Sequence, residues 1–168
     1  MYHDIQSLLK TGNLGISQKL SAIESVVPPT DEGDAIYLTR LADLWHYFYS
    51  TTFLFLQAAF LPVTQPFSTS KASLSVLHGL LLPVDVKVET LNIDLDQLIL
   101  GSFKDEIIWP LREKLKESCQ KKLQFESVEV QGRLTHLLSI MAQITDNEFE
   151  RQLFIEILTE FIQANKKM

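Results

Sequence analysis

The chain has 168 residues, 46% of them hydrophobic and 21% charged, with a formal net charge of −6. That is enough for one domain with a real core and too apolar for a disordered chain. The acidic balance, with Lys and Arg scattered among Asp and Glu, excludes a nucleic-acid groove, and the single cysteine excludes an internal disulfide and suits a reducing compartment.

Residues 4 to 27 are predicted to form a helix, because Ile5, Leu8, Leu9, Ile16, Leu20, Ile23 and Val27 recur at steps of three and four. Gly12 and Gly15 weaken its first half and predict a break near Asn13. No basic region followed by an apolar run opens the chain, so no signal peptide is expected. After the loop around Pro28-Pro29, Asp34 is the expected N-cap of a second helix running to Pro62. At a helical pitch Leu41, Trp45, Phe48, Thr52, Phe55 and Ala59 share one strip, and Tyr49, Phe53, Leu56 and Phe60 share the next. Asp43, His46, Ser50 and Gln57 form a thin polar stripe beside Leu54. Leu44 to Leu61 carries no formal charge and nears the ~18 residues of a short membrane span. Its five polar side chains and missing basic flanks point instead to a central helix of a soluble bundle.

Residues 62 to 70 read as a loop and residues 71 to 82 as a short helix facing inward through Leu74, Leu77 and Leu81. From 84 to 95 the period changes to two, with Val84, Val86 and Val88 alternating against Asp85, Lys87 and Glu89. A lone strand-like segment has no internal partner, so it is expected to lie over the bundle or to pair with another chain. Helix resumes near Asp94 or Asp96. Gly101-Ser102 is an expected division, Pro110 an expected restart, and Leu111, Leu115 and Cys119 continue the inward face. Residues 126 to 144 form another helix, with Val130, Leu134, Leu137, Leu138 and Met141 inward. The last helix, from about 147 to 164, turns Phe149, Leu153, Phe154, Ile157, Leu158, Phe161 and Ile162 to one broad face. Thr145 with Glu148, or Asn147 with Glu150, has capping-box spacing before it. The expected fold is therefore all-α: a single-domain bundle, residues 1–168, with a long aromatic-rich central helix and one extended segment.

No phosphate loop, zinc-protease pair or nucleophile elbow is present, and His3, His46, His78 and His136 lack ligand spacing. No catalytic, cofactor-binding or metal-binding residue is assigned. Asp94-x-Asp96 and Asp105-Glu106 read as helix-start acids rather than an acid–base pair. Cys119 reads as a bystander. Lys114, Lys116, Lys121 and Lys122, interspersed with Glu113 and Glu117, read as a solvated face, with a weak contact to anionic lipid as the alternative. The stripe Asp43, His46, Ser50, Gln57 is too thin for a fully solvated surface. With Val84, Val86 and Val88 it is the expected protein-binding surface.

One segment is more specific than its periodicity. Leu41-Ala42-Asp43-Leu44-Trp45-His46-Tyr47-Phe48 is followed by Leu56-Gln57-Ala58-Ala59-Phe60-Leu61-Pro62. This resembles the signature of the HbrB-like family, called Protor in animals and Bit-type subunits in yeasts. That signature reads Leu-Ala-(Glu/Asp)-x-Trp-x-Phe-Phe, then Leu-Gln-Ala-x-Phe-x-Pro. The matching positions are Leu41, Trp45, Phe48, Leu56, Gln57, Phe60 and Pro62. Leu8-Leu9-Lys10-Thr11-Gly12 is similar to the family's Leu-Leu-x-x-Gly. Leu77 to Pro83 stands where the family has a Phe-Arg segment ending in Leu-Pro; His78-Gly79 replaces the Phe-Arg pair, so no arginine role carries over. Residues 84–126 look like a lineage-specific expansion. The family segment ordinarily starts further upstream, which implies a trimmed or abbreviated chain. The resemblance implies a non-catalytic accessory subunit of the second target-of-rapamycin kinase complex. Its partner would be the large Rictor-type scaffold, and its place the cytoplasm, peripheral at the plasma membrane.

Overall fold

The computed structural model describes residues 2–26, 30–64, 94–125 and 127–166. The expected loop beyond Thr64, the helix over 71–82 and the alternating segment with Val84, Val86 and Val88 lie outside them. Seven α-helices are described: α1 Tyr2–Val26, α2 Asp31–Tyr47, α3 Phe53–Thr64, α4 Leu95–Phe103, α5 Arg112–Gln120, α6 Val128–Ile144 and α7 Glu148–Asn165. A π-helical turn, Phe48–Thr52 (π1), joins α2 to α3. A second, Lys104–Ile108 (π2), and a 3-10 turn, Trp109–Leu111, join α4 to α5. Among the described residues there is no strand. The fold is all-α.

The C-terminal hairpin α6–α7 carries α2 against α6 and α5 against α7, while α1 and α3 pack against α4, and α1 also against π2. One continuous core results. Val130, Leu134, Leu137, Leu138 and Met141 of α6 are all buried, as their spacing predicts, and so are Leu111, Leu115 and Cys119. Pro110 sits in the 3-10 turn, where the helix restarts without the amide hydrogen that proline lacks.

Several expectations are corrected. Thr30, not Asp34, caps α2: its hydroxyl accepts from the Gly33 N–H at 3.1 Å, and Asp34 lies inside the first turn. α1 does not break at Asn13. The Asn13 side chain is buried and its amide donates to Ser102 Oγ at 3.0 Å, a tertiary bond that offsets the weak glycines around it. The same contact holds Gly101-Ser102 inside an unbroken α4. Helix continues through Pro62 to Thr64. Asn147 caps α7, accepting from the Phe149 and Glu150 N–H groups. Thr145 is instead buried, donating to the Met141 carbonyl at 2.6 Å.

The inward faces also differ at their edges. Leu8 of α1 is exposed. On α7, Phe149 and Ile162 lie roughly 110° around the axis from the buried strip Phe154, Ile157, Phe161, and both are exposed. The largest change is on the central helix. Phe53 is 6% exposed, whereas Phe55, expected on the strip of Trp45 and Phe48, is 71% exposed. The cause is π1. The Phe53 N–H bonds to the Phe48 carbonyl, five residues back, so Phe53 turns inward, stacked on Tyr49, and everything after it is rotated. Phe55 and Ala59 therefore turn outward, and Thr52 is half-buried.

Candidate functional site

Trp45 is the anchor of the α2–α6 contact. It is 1% exposed, with ring centroids of Phe48, Tyr49, Phe103 and His136 at 6.0, 5.1, 5.5 and 5.6 Å. Its indole N–H donates to Nδ1 of His136 at 3.0 Å. An indole nitrogen can only donate, so Nδ1 of His136 is the acceptor and the neutral ring carries its hydrogen on Nε2. Tyr49 meets the His136 ring edge-on at 4.7 Å.

Over this contact lies a surface cleft of about 480 Å³, lined chiefly by Trp45, His46, Tyr49, Ser50, Arg133 and His136. Gly132 opens its α6 wall: a Cβ built there would meet nothing within 4 Å. Arg133 closes the rim, bonded to Asp43 at 2.6 Å and to Glu129 at 3.4 Å. The Ser50 hydroxyl donates to the His46 carbonyl at 2.6 Å. Three residues of the expected polar stripe, Asp43, His46 and Ser50, thus meet at one place. Gln57 does not join them; it donates to Asp96 of α4 at 2.5 Å. Of the signature residues, Leu41, Trp45 and Phe48 are buried, Leu56, Gln57 and Phe60 are half-buried, and Pro62 lies within α3. Their main work is packing.

The sequence reading missed two charged clusters, because both join residues far apart in the chain. Asp34, 1% exposed, accepts from Lys114 and Lys121 at 2.5 Å each. Burial pushes its carboxyl up, but hydrogen bonds and charge from the two lysines outweigh this and hold it below the usual carboxylate range. Lys116 pairs with Glu156 at 3.0 Å. Three of the four lysine charges are thus matched within the chain, on a face where Glu113, Glu117, Lys121 and Lys122 stay exposed. Lys104 of π2 is buried between Glu150 and Asp105. Burial pulls this lysine down, and the bonds to Asp105 and Glu150 more than restore it, to above its ordinary value. It lies in a larger cleft of about 960 Å³ between α1, α4, π2 and the start of α7, where Lys10 also faces Glu106 at 3.8 Å. Asp94 is the N-cap of α4 and Asp96 stands in its first turn, as the acidic start predicts. Asp105 and Glu106 instead serve these ion pairs. Burial, with a smaller contribution from Glu160, pushes the Cys119 thiol up to about 12.

Among the described residues, no three His, Cys, Asp or Glu side chains gather as a metal site, and no helix is long and apolar enough to cross a membrane. The aromatic run of α2, π1 and α3 is instead split between core and surface. The sequence profile described as HbrB-like matches residues 1–116. The chain belongs to the HbrB-like family. It is similar to the target of rapamycin complex 2 subunit bit61 of Schizosaccharomyces pombe, strain 972, at 23% identity over 143 residues. That alignment covers 82% of this chain and 32% of the fission-yeast protein, so this HbrB-like chain spans about a third of its relative's length. No solved structure matches. The α2–π1–α3 signature lies inside the family match. α2, which packs against α6, lies within it too, whereas α6 and α7 themselves lie beyond residue 116.

Proposed function

We propose that this HbrB-like chain is a non-catalytic accessory subunit of target of rapamycin complex 2 and binds its Rictor-type scaffold. The family match over residues 1–116, joined to the likeness to a named subunit of that complex, carries the reading. The protein's chemistry is in keeping with it. Asp34 and Lys104, the perturbed charges at its helix contacts, are tied to internal partners and serve to hold helices together. Cys119 is buried, and its raised thiol is a poor nucleophile. Action by equilibrium binding in the cytoplasm, at the membrane only as part of the larger assembly, follows from this reading. The lipid-adaptor alternative is weakened by the pairing of Lys114, Lys116 and Lys121 with carboxylates. Size-exclusion chromatography of the purified chain mixed with the purified Rictor-type scaffold tests the reading. Co-elution at a fixed ratio is expected. Separate elution, or salt-sensitive sedimentation with anionic vesicles in place of scaffold binding, rejects it.

A further inference from the structure

We infer that the Trp45–His136 pair is a proton-operated latch at the α2–α6 contact: protonating His136 takes away the acceptor of the Trp45 indole and loosens the floor of the cleft. This is independent of the accessory-subunit reading above. Three observations carry it.

The first is the difference in burial across one bond. Trp45 is 1% exposed and belongs to the core, whereas His136 stands exposed on the cleft. The indole N–H donates to Nδ1 of His136 at 3.0 Å, across 91 positions of the chain. A base that solvent reaches thus completes the hydrogen bonding of a core side chain.

The second is the chemistry of the two rings. An indole nitrogen donates and never accepts, and an imidazolium donates from both nitrogens. Once Nδ1 carries a hydrogen, two N–H groups face each other across this contact. Turning the imidazolium over brings no relief, because neither of its nitrogens accepts. The indole N–H is then left without a partner in a buried place, which is costly, or His136 swings out and water replaces it. In the second case Tyr49, edge-on to His136 at 4.7 Å and against Trp45 at 5.1 Å, loses one of its two supports.

The third is the surroundings. The titratable and charged groups that share the cleft with His136 are His46 of α2, Tyr49 of π1, and Glu129 and Arg133 of α6 itself. Asp43 of α2 reaches Arg133 at the rim, and α4 sets the uncharged ring of Phe103 against Trp45. Two carboxylates outnumber one guanidinium, so an imidazolium forming here beside a neutral His46 meets no net positive charge. Histidine is the side chain that changes charge between about pH 5 and 8. The bond also lies at a joint. It ties α2, inside the family match, to the α6–α7 hairpin beyond residue 116, so the latch acts on how these two parts are held together.

Proton–nitrogen correlation spectra of the isotope-labelled chain at about pH 7.5 and about pH 5 test the latch. The chain has two tryptophans, and Trp109→Phe identifies the Trp45 indole N–H signal. That signal should move or broaden as the His136 ring takes up its proton, which the ring's carbon-bound hydrogens report. His136→Asn places an amide oxygen where Nδ1 stands, an acceptor that gains no proton in this range, so its Trp45 signal should stay in place. Between the same two pH values the melting temperature of wild type should fall by at least about 3 °C more than that of His136→Asn. His46→Ala removes the cleft's other imidazole and should leave both effects intact. A Trp45 signal that ignores protonation of His136, or a His136 that takes up no proton by about pH 5, overturns the latch. So does an equal shift in His136→Asn, or loss of the shift in His46→Ala. Should His136→Asn fail to fold, the wild-type and His46→Ala spectra decide: movement in step with His136 in both supports the latch, and any other pattern overturns it.

Discussion

Replacing Asp34 by Asn removes one negative charge that two lysines share. The carboxylate is 1% exposed, and both its oxygens accept a lysine at 2.5 Å. A hydrogen bond to a charged group contributes about 1.5–3 kcal/mol. Asparagine keeps one oxygen for one lysine and turns an N–H₂ toward the other, so one bond is lost and one is weakened. The lysine side chains are 27% and 43% exposed and can swing to water, which spares the full penalty of an abandoned buried charge. The expected cost is about 2–3 kcal/mol, or a fall of about 4–12 °C in melting temperature for a chain of this size. Thermal unfolding followed by circular dichroism measures it. The pH dependence gives a second reading. The folded carboxyl is held below its unfolded value near ~3.9, so its contribution is present above that pH and fades as pH falls through the folded value. The gap between wild type and Asp34→Asn should be constant from about pH 5 to 8 and close below about pH 4. A substitution that leaves the melting temperature within 2 °C, or a gap undiminished at about pH 2, would refute the clamp.

Trp45→Ala should cost about 3–5 kcal/mol, as large buried aromatics do, while His46→Ala on the exposed rim should stay within about 0.5 kcal/mol; a histidine substitution more damaging than the tryptophan one would reverse the assigned helix phase. Cys119 is 0% exposed with its thiol pushed up to about 12, so an aromatic disulfide reagent at about pH 8 should label it only as fast as the chain unfolds; labelling on mixing would place the sulfur at the surface.

Helix by helix, the sequence is legible where one period governs a whole element. Val130 to Met141 repeats at three and four residues through all of α6, and every inward assignment there is buried. Legibility fails where the period itself changes. The wheel that joined Phe55 to Phe48 assumed about 100° per residue, and π1 breaks that step without any proline or glycine to announce it. It fails again where a bond spans the chain. Trp45 and His136 are 91 positions apart, so nothing local marks His136 as the acceptor that seats the indole. Asp34 looked like a cap because a carboxylate after a Pro-rich loop ordinarily is one. Thr30 had already taken that place, and only the tertiary approach of Lys114 and Lys121 explains an acid buried one turn further on. The same approach gives Lys114 and Lys121 a buried partner that their spacing alone does not show. The site was half legible: the stripe brought His46 and Ser50 to the cleft and Asp43 to the Arg133 at its rim, but Arg133, Gly132 and His136, the opposite wall, belong to a helix whose docking partner the sequence does not name.

The two halves of the aromatic run therefore do different work, and the π turn between them is what separates the tasks. Up to the first residue of π1, Leu41, Trp45 and Phe48 complete the contact with α6 and α4, and the cleft forms where α2 leaves Gly132 uncovered. Past π1, an unbroken α-helix would have returned Phe55 to the core above Phe48 and left Phe53 at the flank. The extra residue in the turn exchanges them. Phe53 goes in, stacked with Tyr49 at 5.4 Å, and Phe55 goes out. A π turn inside an α-helix strains its hydrogen bonding and tends to persist where it places a group that function requires. Here it keeps Tyr49 at the cleft against His136 while sending Leu54 and Phe55 to the surface beside it. One phenylalanine is buried in either arrangement, so the exchange leaves the core's aromatic content unchanged and alters what the surface beside the cleft presents.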